Sequence, residues 1–231
     1  MTQTRPLPVV TCRKTLVTPA MDGSVLDPAW QRAEPCAAFR RLRKSDQEPL
    51  VSPRFGTELR CLWDDQFLYV GFRCTCPDVW ATKTQRDSDL WEEPVCEVFL
   101  DPLGEGHSFF EFQVNPLGTV YDSFVADAAQ SGDWPRWARW NCAGLLTAVH
   151  VDGRLNDRAS RDEGWSAQFA IPFRALAAEV NVRPAVGATW RANFCRYDYS
   201  AELDEPELSC VAPTVGVYDD LARFCVLRFD A

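Results

Sequence analysis

The chain has 231 residues, of which 46% are hydrophobic and 25% charged, ordinary values for a globular protein large enough to bury a core. Its 24 basic and 33 acidic residues give a formal net charge of −9. This acidic balance argues against nucleic acid and anionic membranes as partners, because both attract basic surfaces.

The first twenty residues predict a loose segment. Residues 1–20 are polar and contain Pro6 and Pro8, so we expect an N-terminal arm that contributes an edge strand at most, followed by a single domain over residues 21–231. No apolar run is long enough for a signal peptide or a membrane span. We therefore expect a cytoplasmic protein as the sequence stands, or a secreted one if a leader has been removed.

The sequence contains ten cysteines. Most of them lie in strand-like runs, and no Cys-x-x-Cys pair occurs that would indicate a zinc site. We favour buried free thiols, which behave as small hydrophobic groups. One or more disulfides are the alternative.

Alternation of apolar and polar residues predicts β-strands along most of the chain. The clearest early case is Glu58–Cys76, where two alternating runs flank the turn residues Asp64 and Asp65 and place Trp63 in the core. Further alternating runs surround Val70, Val98, Phe112, Phe169 and Phe194. The pattern predicts an all-β protein, an antiparallel β-sandwich of jelly-roll type with one or two short helices.

Two stretches predict the short helices. Asp27 is followed by proline, which suits an N-cap and a first helical residue, and Phe173–Val180 has helical periodicity. The spacing of three between Trp134, Trp137 and Trp140 would form an aromatic stripe on a helical turn. The neighbouring prolines favour a loop there instead.

Residues Ser88–Asp122 contain the pattern on which the functional prediction depends. Two alternating halves flank a loop rich in proline and glycine, so they predict a β-hairpin. If the loop is centred on Glu105, facing residues have numbers that sum to 210, and one face is wholly apolar. Because facing residues project to the same side, the other face has Glu97 opposite Gln113, with Asn115 further along it.

Trp91 comes just before this hairpin, near the polar face. An aromatic ring beside carboxylate and amide groups suits a sugar, because the ring stacks on the apolar face of a pyranose and the polar groups bind its hydroxyls. The alternative is a sheet whose polar face merely meets water. Trp80, in the loop that leads to Trp91, is the reserve candidate for the stacking ring.

Short motifs occur over almost the whole chain, from about Met21 to Phe229. They are Asp22-Gly23, Asp27-Pro28-Ala29-Trp30, Leu68-Tyr69-Val70-Gly71-Phe72, Trp91 through Asp101, Phe112-Gln113-Val114-Asn115-Pro116-Leu117-Gly118, Gly164-Trp165, Ala170-Ile171-Pro172 and Arg223-Phe224. Taken in order, this set resembles carbohydrate-binding module family nine and its stand-alone family nine-like relatives.

The resemblance implies an antiparallel β-sandwich that clamps a sugar between two aromatic rings. By position, the implied ligand-binding residues are the rings of Trp91 and Tyr218 and the polar side chains of Glu97, Gln113, Asn115 and Arg196. Tyr218 stands where the best-known members have tryptophan, and an arginine expected at one polar position is missing. The resemblance thus implies non-catalytic binding of a mono- or oligosaccharide, in polysaccharide or glycoside catabolism.

The resemblance also implies a structural calcium ion. Calcium requires several oxygen ligands at once, and acidic residues near the hairpin, including Asp101 and Glu105, could supply some of them. The sequence does not assign the ligands.

Three other functions stay open. Acidic residues cluster around Glu97, and glycosidases use paired carboxylates, but the sequence contains no other catalytic motif. A haem-binding sandwich would require a histidine or methionine ligand, and both residue types are scarce here, with two of each. A sandwich that has lost its ligand and serves as a protein-interaction module is the third alternative.

Overall fold

The computed structural model describes residues 6–231; the first five residues of the predicted N-terminal arm lie outside the described residues. The strands are β1 (Val9–Lys14), β2 (Arg40–Arg41), β3 (Thr57–Trp63), β4 (Phe67–Thr75), β5 (Val95–Asp101), β6 (Phe109–Val114), β7 (Val120–Val125), β8 (Leu146–Asp152), β9 (Gly164–Pro172), β10 (Thr189–Asp198), β11 (Glu207–Cys210) and β12 (Cys225–Asp230). The α-helices are α1 (Trp134–Trp137) and α2 (Phe173–Val180).

The strands form one continuous path in the order β7-β6-β5-β10-β12-β1-β3-β4-β9-β8, with β11 and β2 attached beside β10. All pairs are antiparallel except those of β1. Two parts of this sheet face each other as two layers. Phe72 of β4 in one layer packs against Phe194 of β10 in the other, with their ring centroids 6.5 Å apart. The predicted all-β sandwich is confirmed, and its main core lies between the two layers.

The strand β1 lies inside the predicted N-terminal arm. It runs parallel to β12 on one side and to β3 on the other, with Cys12 opposite both Phe229 and Cys61. The expectation of an edge strand at most is therefore wrong. The prolines at positions 6 and 8 precede the strand and do not interrupt it, so each backbone N–H within β1 can join the ladder.

The central hairpin has the predicted register. Cys96 lies opposite Val114 and Glu97 opposite Gln113, which are pairs whose numbers sum to 210. The turn is held by Asp101, whose two carboxylate oxygens accept hydrogen bonds from the backbone N–H groups of Gly104 and Gly106 at 2.8 and 2.9 Å. This local bonding fixes the loop, and the loop fixes which side chains face each other.

All ten cysteines are free thiols, and nine of them are buried, which confirms the preferred prediction over disulfides. The sulfurs of Cys74 and Cys96 are 3.5 Å apart across the two layers. They fill space between the sheets as other small apolar side chains do.

The helix at Phe173–Val180 is confirmed, and Asp27 caps a short 3₁₀ turn by accepting a hydrogen bond from the backbone N–H of Ala29. The loop expected near Trp134 is wrong, because residues Trp134–Trp137 form a helical turn. Its proline falls in the first turn, where no backbone N–H donor is required. None of the helices among residues 6–231 is long and apolar enough to cross a membrane.

Replacing Trp63 by phenylalanine tests the core. Trp63 is 3% exposed, donates its indole N–H to the backbone oxygen of Asp230 at 2.9 Å and packs edge-on against Phe229. We expect Trp63→Phe to lower the free energy of unfolding by about 1–2 kcal/mol, because a hydrogen bond and packing contacts are lost. Urea denaturation measures the change.

The matched control is Trp134→Phe, at a side chain that is 38% exposed. It should change the free energy of unfolding by less than about 0.5 kcal/mol. Equal effects of the two substitutions would contradict the placement of Trp63 in the core.

Candidate functional site

Three neighbouring strands place polar side chains on the outer face of one layer. Glu97 of β5 lies opposite Gln113 of β6, and Gln113 lies opposite Tyr121 of β7. In the next row, Glu111 of β6 lies opposite Ser123 of β7. Opposite residues in an antiparallel pair project to the same side. Glu97, Glu111 and Gln113 therefore share one patch, which we call the carboxylate strip.

Apolar residues pack on both sides of the carboxylate strip. One cluster consists of Phe99, Phe109, Val125, Trp137, Cys195, Cys210, Tyr218, Leu221 and Phe224. The other consists of Leu90, Val95 and Tyr121, with Trp91, Ala138 and Tyr197 packed against them. The strip is thus a polar band within an otherwise apolar buried layer, a composition typical of small-molecule sites.

Two polar atoms of the strip lack hydrogen-bond partners. Glu97 and Gln113 are each 1% exposed. The amide nitrogen of Gln113 donates to Oε1 of Glu111 at 2.6 Å. Oε2 of Glu97 and Oε1 of Gln113 have no partner among residues 6–231. Buried oxygens without partners are costly and uncommon, and they indicate a position for ligand donors.

The electrostatic environment of the strip disfavours its negative charges. Burial raises the pKa of Glu97 well above its ordinary value, and the nearby carboxylates of Glu111 and Asp219 raise it further. Burial also raises the pKa of Glu111 to about 7, against the hydrogen bond from Gln113, which lowers it. The protonation of the strip therefore changes near neutral pH.

Trp91 lies beside the strip at a surface corner. It is partly buried in a 3₁₀ turn, and its backbone oxygen accepts a hydrogen bond from the hydroxyl of Tyr199 at 2.6 Å. Its ring meets Tyr121 edge-on at 5.9 Å and Trp134 edge-on at 5.4 Å. Trp134 was missed as a site residue, because the spacing of three between tryptophans indicates only packing on a helical turn.

Tyr218 does not offer a free stacking surface. It is 4% exposed, its hydroxyl donates to the backbone oxygen of Arg196 at 3.0 Å, and Tyr197 packs edge-on against it at 5.1 Å. The partly exposed ring between Trp91 and Tyr218 is that of Tyr197. Tyr218 supports the apolar cluster, and its predicted role as a sugar-stacking ring would require this packing to open.

Asn115, predicted as a sugar contact, makes contacts within the protein. Its side-chain oxygen accepts from the backbone N–H groups of Leu117 and Thr119, and its amide donates to the backbone oxygen of Lys83 and to Glu93. The side chain is 0% exposed. All four hydrogen-bonding positions of the amide are used within the protein, which leaves none for a ligand.

Arg196, also predicted as a sugar contact, lies on the face of β10 opposite to the strip. Its partner in β5 is Cys96, which belongs to the core between the layers. The guanidinium donates to the backbone oxygens of Gly56 and Thr75, and it pairs with Asp198 at 2.7 Å. Arg196 therefore stabilises the interior of the sandwich and does not reach the strip.

The reserve ring, Trp80, is held by other contacts. Its indole N–H donates to the backbone oxygen of Tyr199 at 3.2 Å, and the guanidinium carbon of Arg158 lies 5.0 Å from the ring centroid. One face of Trp80 is therefore occupied by a cation, which leaves Trp91 as the better stacking surface.

Asp101, one of the two residues named for calcium, holds the turn of the central hairpin. Both carboxylate oxygens of Asp101 accept backbone hydrogen bonds in the turn, and Glu105 is exposed. No group of three or more His, Cys, Asp or Glu side chains among residues 6–231 is arranged to hold a metal ion. Bound calcium stays a prediction, for which a fall in melting temperature on chelation would be the test.

Comparisons with known proteins agree on one family and one fold. The profile of the family described as carbohydrate family 9 binding domain-like matches residues 21–183, more than half of the chain. No curated protein matches the sequence.

Three solved structures share the fold. A carbohydrate-binding module of family 9 from Caldicellulosiruptor kristjanssonii in complex with cellotriose has 14% identity and a TM-score of 0.65, covering 96% of this chain and 94% of that one. The same organism's module with glucose has 13% identity and a TM-score of 0.63, with 96% of each chain covered. A Bacteroides uniformis protein proposed to bind carbohydrate has 15% identity and a TM-score of 0.66, covering 96% and 99%.

Replacing Glu111 by glutamine tests the electrostatics of the strip. The folded-state pKa of about 7 lies above the ordinary value of 4.5, so the folded protein holds this proton more tightly than the unfolded chain. The stability that results is fully present below pH 4.5 and is lost as the pH rises through 7. From pH 5 to pH 8, wild type should lose about 1–2 kcal/mol more than Glu111→Gln, after a reduction for solvent screening.

Urea denaturation at several pH values measures this difference. Glu105→Gln, which changes an exposed loop carboxylate, is the control and should follow the wild-type curve. Parallel curves for wild type and Glu111→Gln would contradict a raised pKa at Glu111.

Proposed function

Since the chain belongs to the carbohydrate family 9 binding domain-like family, we propose that it binds a mono- or oligosaccharide at the carboxylate strip, without catalysis. The observation that carries this proposal is the pair of buried acceptors, Oε2 of Glu97 and Oε1 of Gln113, that have no partner among residues 6–231. Sugar hydroxyls are donors of suitable size and direction for such acceptors.

The aromatic corner supports the same proposal. Trp91 and Trp134 meet edge-on, so a sugar can stack on one ring while the other borders it. This arrangement differs from two parallel rings that sandwich a sugar. We propose that Trp91 is the stacking ring and that Trp134 takes the bordering position first assigned to Tyr218.

Access to the strip follows from the exposure of its neighbours. Glu97 and Gln113 are buried, whereas Glu111, Trp91 and Tyr197 are partly exposed and Trp134 is exposed. A sugar would contact these exposed groups first, and the side chains that cover Glu97 and Gln113 would have to move before its hydroxyls reach the two unpaired oxygens. The two deep groups would orient the ring, while the aromatic side chains would supply most of the apolar contact.

The properties of the two carboxylates favour binding over hydrolysis. A glycosidase needs one protonated carboxylic acid and one ionised carboxylate in different environments. Here the pKa values of both Glu97 and Glu111 are raised, chiefly by burial. Neither group has the low pKa that would keep it fully ionised at neutral pH as a nucleophile or base. We propose that the protein holds sugars released or recognised during polysaccharide or glycoside catabolism and leaves their cleavage to enzymes.

Replacing Trp91 by alanine tests the site. We expect Trp91→Ala to weaken sugar binding by about 10- to 100-fold, since an aromatic anchor contributes about 1–3 kcal/mol. Isothermal titration calorimetry with glucose, cellobiose and glucosamine measures the affinity, and circular dichroism confirms that the variant is folded. Trp63→Phe, in the core between the layers, is the matched control and should bind as wild type does.

Two results would contradict the proposal. One is wild-type affinity in folded Trp91→Ala, which would place the site elsewhere. The other is release of sugar from aryl glycosides or oligosaccharides by the purified protein, abolished in Glu97→Gln, which would make the strip catalytic.

A further inference from the structure

The carboxylate strip gathers acidic groups without a compensating base. Glu97 and Glu111 lie on adjacent strands of the same face, and Asp219, next to Tyr218, is close enough for its charge to act on both. Within residues 6–231, none of these three carboxylates forms an ion pair with lysine or arginine.

Bases in neighbouring segments have other partners. Arg86 pairs with Asp122 and Lys83 with Glu92, both outside the strip. Arg196 is turned into the core, where it pairs with Asp198. Burial and neighbouring carboxylates disfavour the ionised forms of Glu97 and Glu111, and a positive charge beside them would favour those forms. A ligand that supplies a positive charge would therefore gain more here than a neutral one.

The surroundings of the strip also suit a cation. Trp91, Tyr121 and Tyr197 pack together beside it, and Trp134 extends the aromatic surface to solvent. Aromatic faces attract cations through their negative quadrupole, and a partly dehydrated site strengthens this attraction. Carboxylates and aromatic rings on the same patch are the two side-chain classes that bind an ammonium group.

We propose that the sugar bound at the carboxylate strip is an amino sugar, whose ammonium group lies against Glu97, Glu111 and Gln113. This inference rests on the proposed function and narrows its ligand class. An ammonium group has three donors, which matches Oε2 of Glu97, Oε1 of Gln113 and a carboxylate oxygen of Glu111. The two oxygens that lack partners in residues 6–231 would then be satisfied, and the charge of the strip would be balanced.

A neutral sugar and a metal ion each satisfy these observations less well. Hydroxyl donors would pair the two free oxygens but would not stabilise an ionised carboxylate as strongly as a positive charge does. A metal ion would require ligands arranged around one point, and no such group of acidic, histidine or cysteine side chains exists among residues 6–231. An amino sugar combines a positive charge and three hydrogen-bond donors in its ammonium group with a ring that can stack on Trp91.

Three monosaccharides that differ only at carbon 2 provide the test. Glucosamine bears an ammonium group, glucose a hydroxyl and N-acetylglucosamine a neutral amide at that position. At pH 7 and low salt, we expect calorimetry to show glucosamine binding at least about ten-fold more tightly than either neutral sugar. Added salt should weaken glucosamine binding more than glucose binding, because salt screens charges.

Charge-removing variants locate the effect. Glu111→Gln should reduce the ratio of glucosamine to glucose affinity to near unity, and Asp219→Asn should lower it about two- to five-fold. These side chains are partly exposed, so their replacement is compatible with folding, in contrast to buried Glu97. Glu105→Gln, which removes a charge from an exposed loop, is the control and should leave the ratio unchanged.

The outcomes separate this inference from the proposed function. Equal affinities for glucosamine and glucose, or a preference for glucosamine that survives in Glu111→Gln, would overturn the inference. If glucose binds well and Trp91→Ala abolishes its binding, the inference fails while the proposed function stands. If none of the three sugars binds, and cellobiose does not bind either, both fail.

Discussion

Glu97 is buried on a strand within one sheet layer, and one of its carboxylate oxygens has no partner among residues 6–231. A group of this kind destabilises a fold unless something offsets the loss of water. Here the opposite residue, Gln113, uses its amide on Glu111 and so leaves a second free oxygen beside the first. The strip is a local cost within a large apolar core, which is characteristic of a site maintained for a ligand.

The rest of the molecule holds this strip in place. The paired layers fix β5 and β6 from behind through contacts such as that between Phe72 and Phe194. At one end of the strip, Asn115 joins the hairpin to the segments on either side of Trp91, through the backbone of Lys83 and the side chain of Glu93. The side chain of Asn115 is fully hydrogen-bonded there, in contrast to Glu97 and Gln113 in the strip.

The family fold is retained at only 13–15% identity to the solved structures. At this distance the fold carries over, whereas the details of a site do not. In this chain the strip contains no arginine, and Tyr218 is buried. These two features set the charge and the shape offered to a ligand, and they are the reason for expecting a ligand with a positive charge.

The register of the central hairpin could be predicted from the sequence, because the alternation of side chains and the symmetrical loop are both local properties. It also placed Glu97 and Gln113 together, since they face each other across that register. It could not show that the amide nitrogen of Asn115 is used within the protein, because its acceptors, the backbone of Lys83 and the side chain of Glu93, lie 32 and 22 residues earlier in the chain.

The prediction of Arg196 as a sugar contact came from the family pattern and not from strand alternation. Residues on one strand face alternate, so the parity that puts Cys195 beside Glu97 puts Arg196 in the core. The position of Arg196 in the family pattern was preferred over this alternation. A fully buried arginine is also uncommon. Trp134 was missed because its contact with Trp91 joins distant parts of the chain.

The most direct test of the site is the response of the indole N–H signals of the nine tryptophans to sugar, measured by nuclear magnetic resonance. Single Trp→Phe variants assign the signals. The account predicts that glucosamine shifts the signals of Trp91 and Trp134 along one saturable curve, while those of the core residues Trp63 and Trp190 stay in place. Saturable shifts confined to Trp30 and Trp165, on the opposite layer, with Trp91 unchanged, would contradict it.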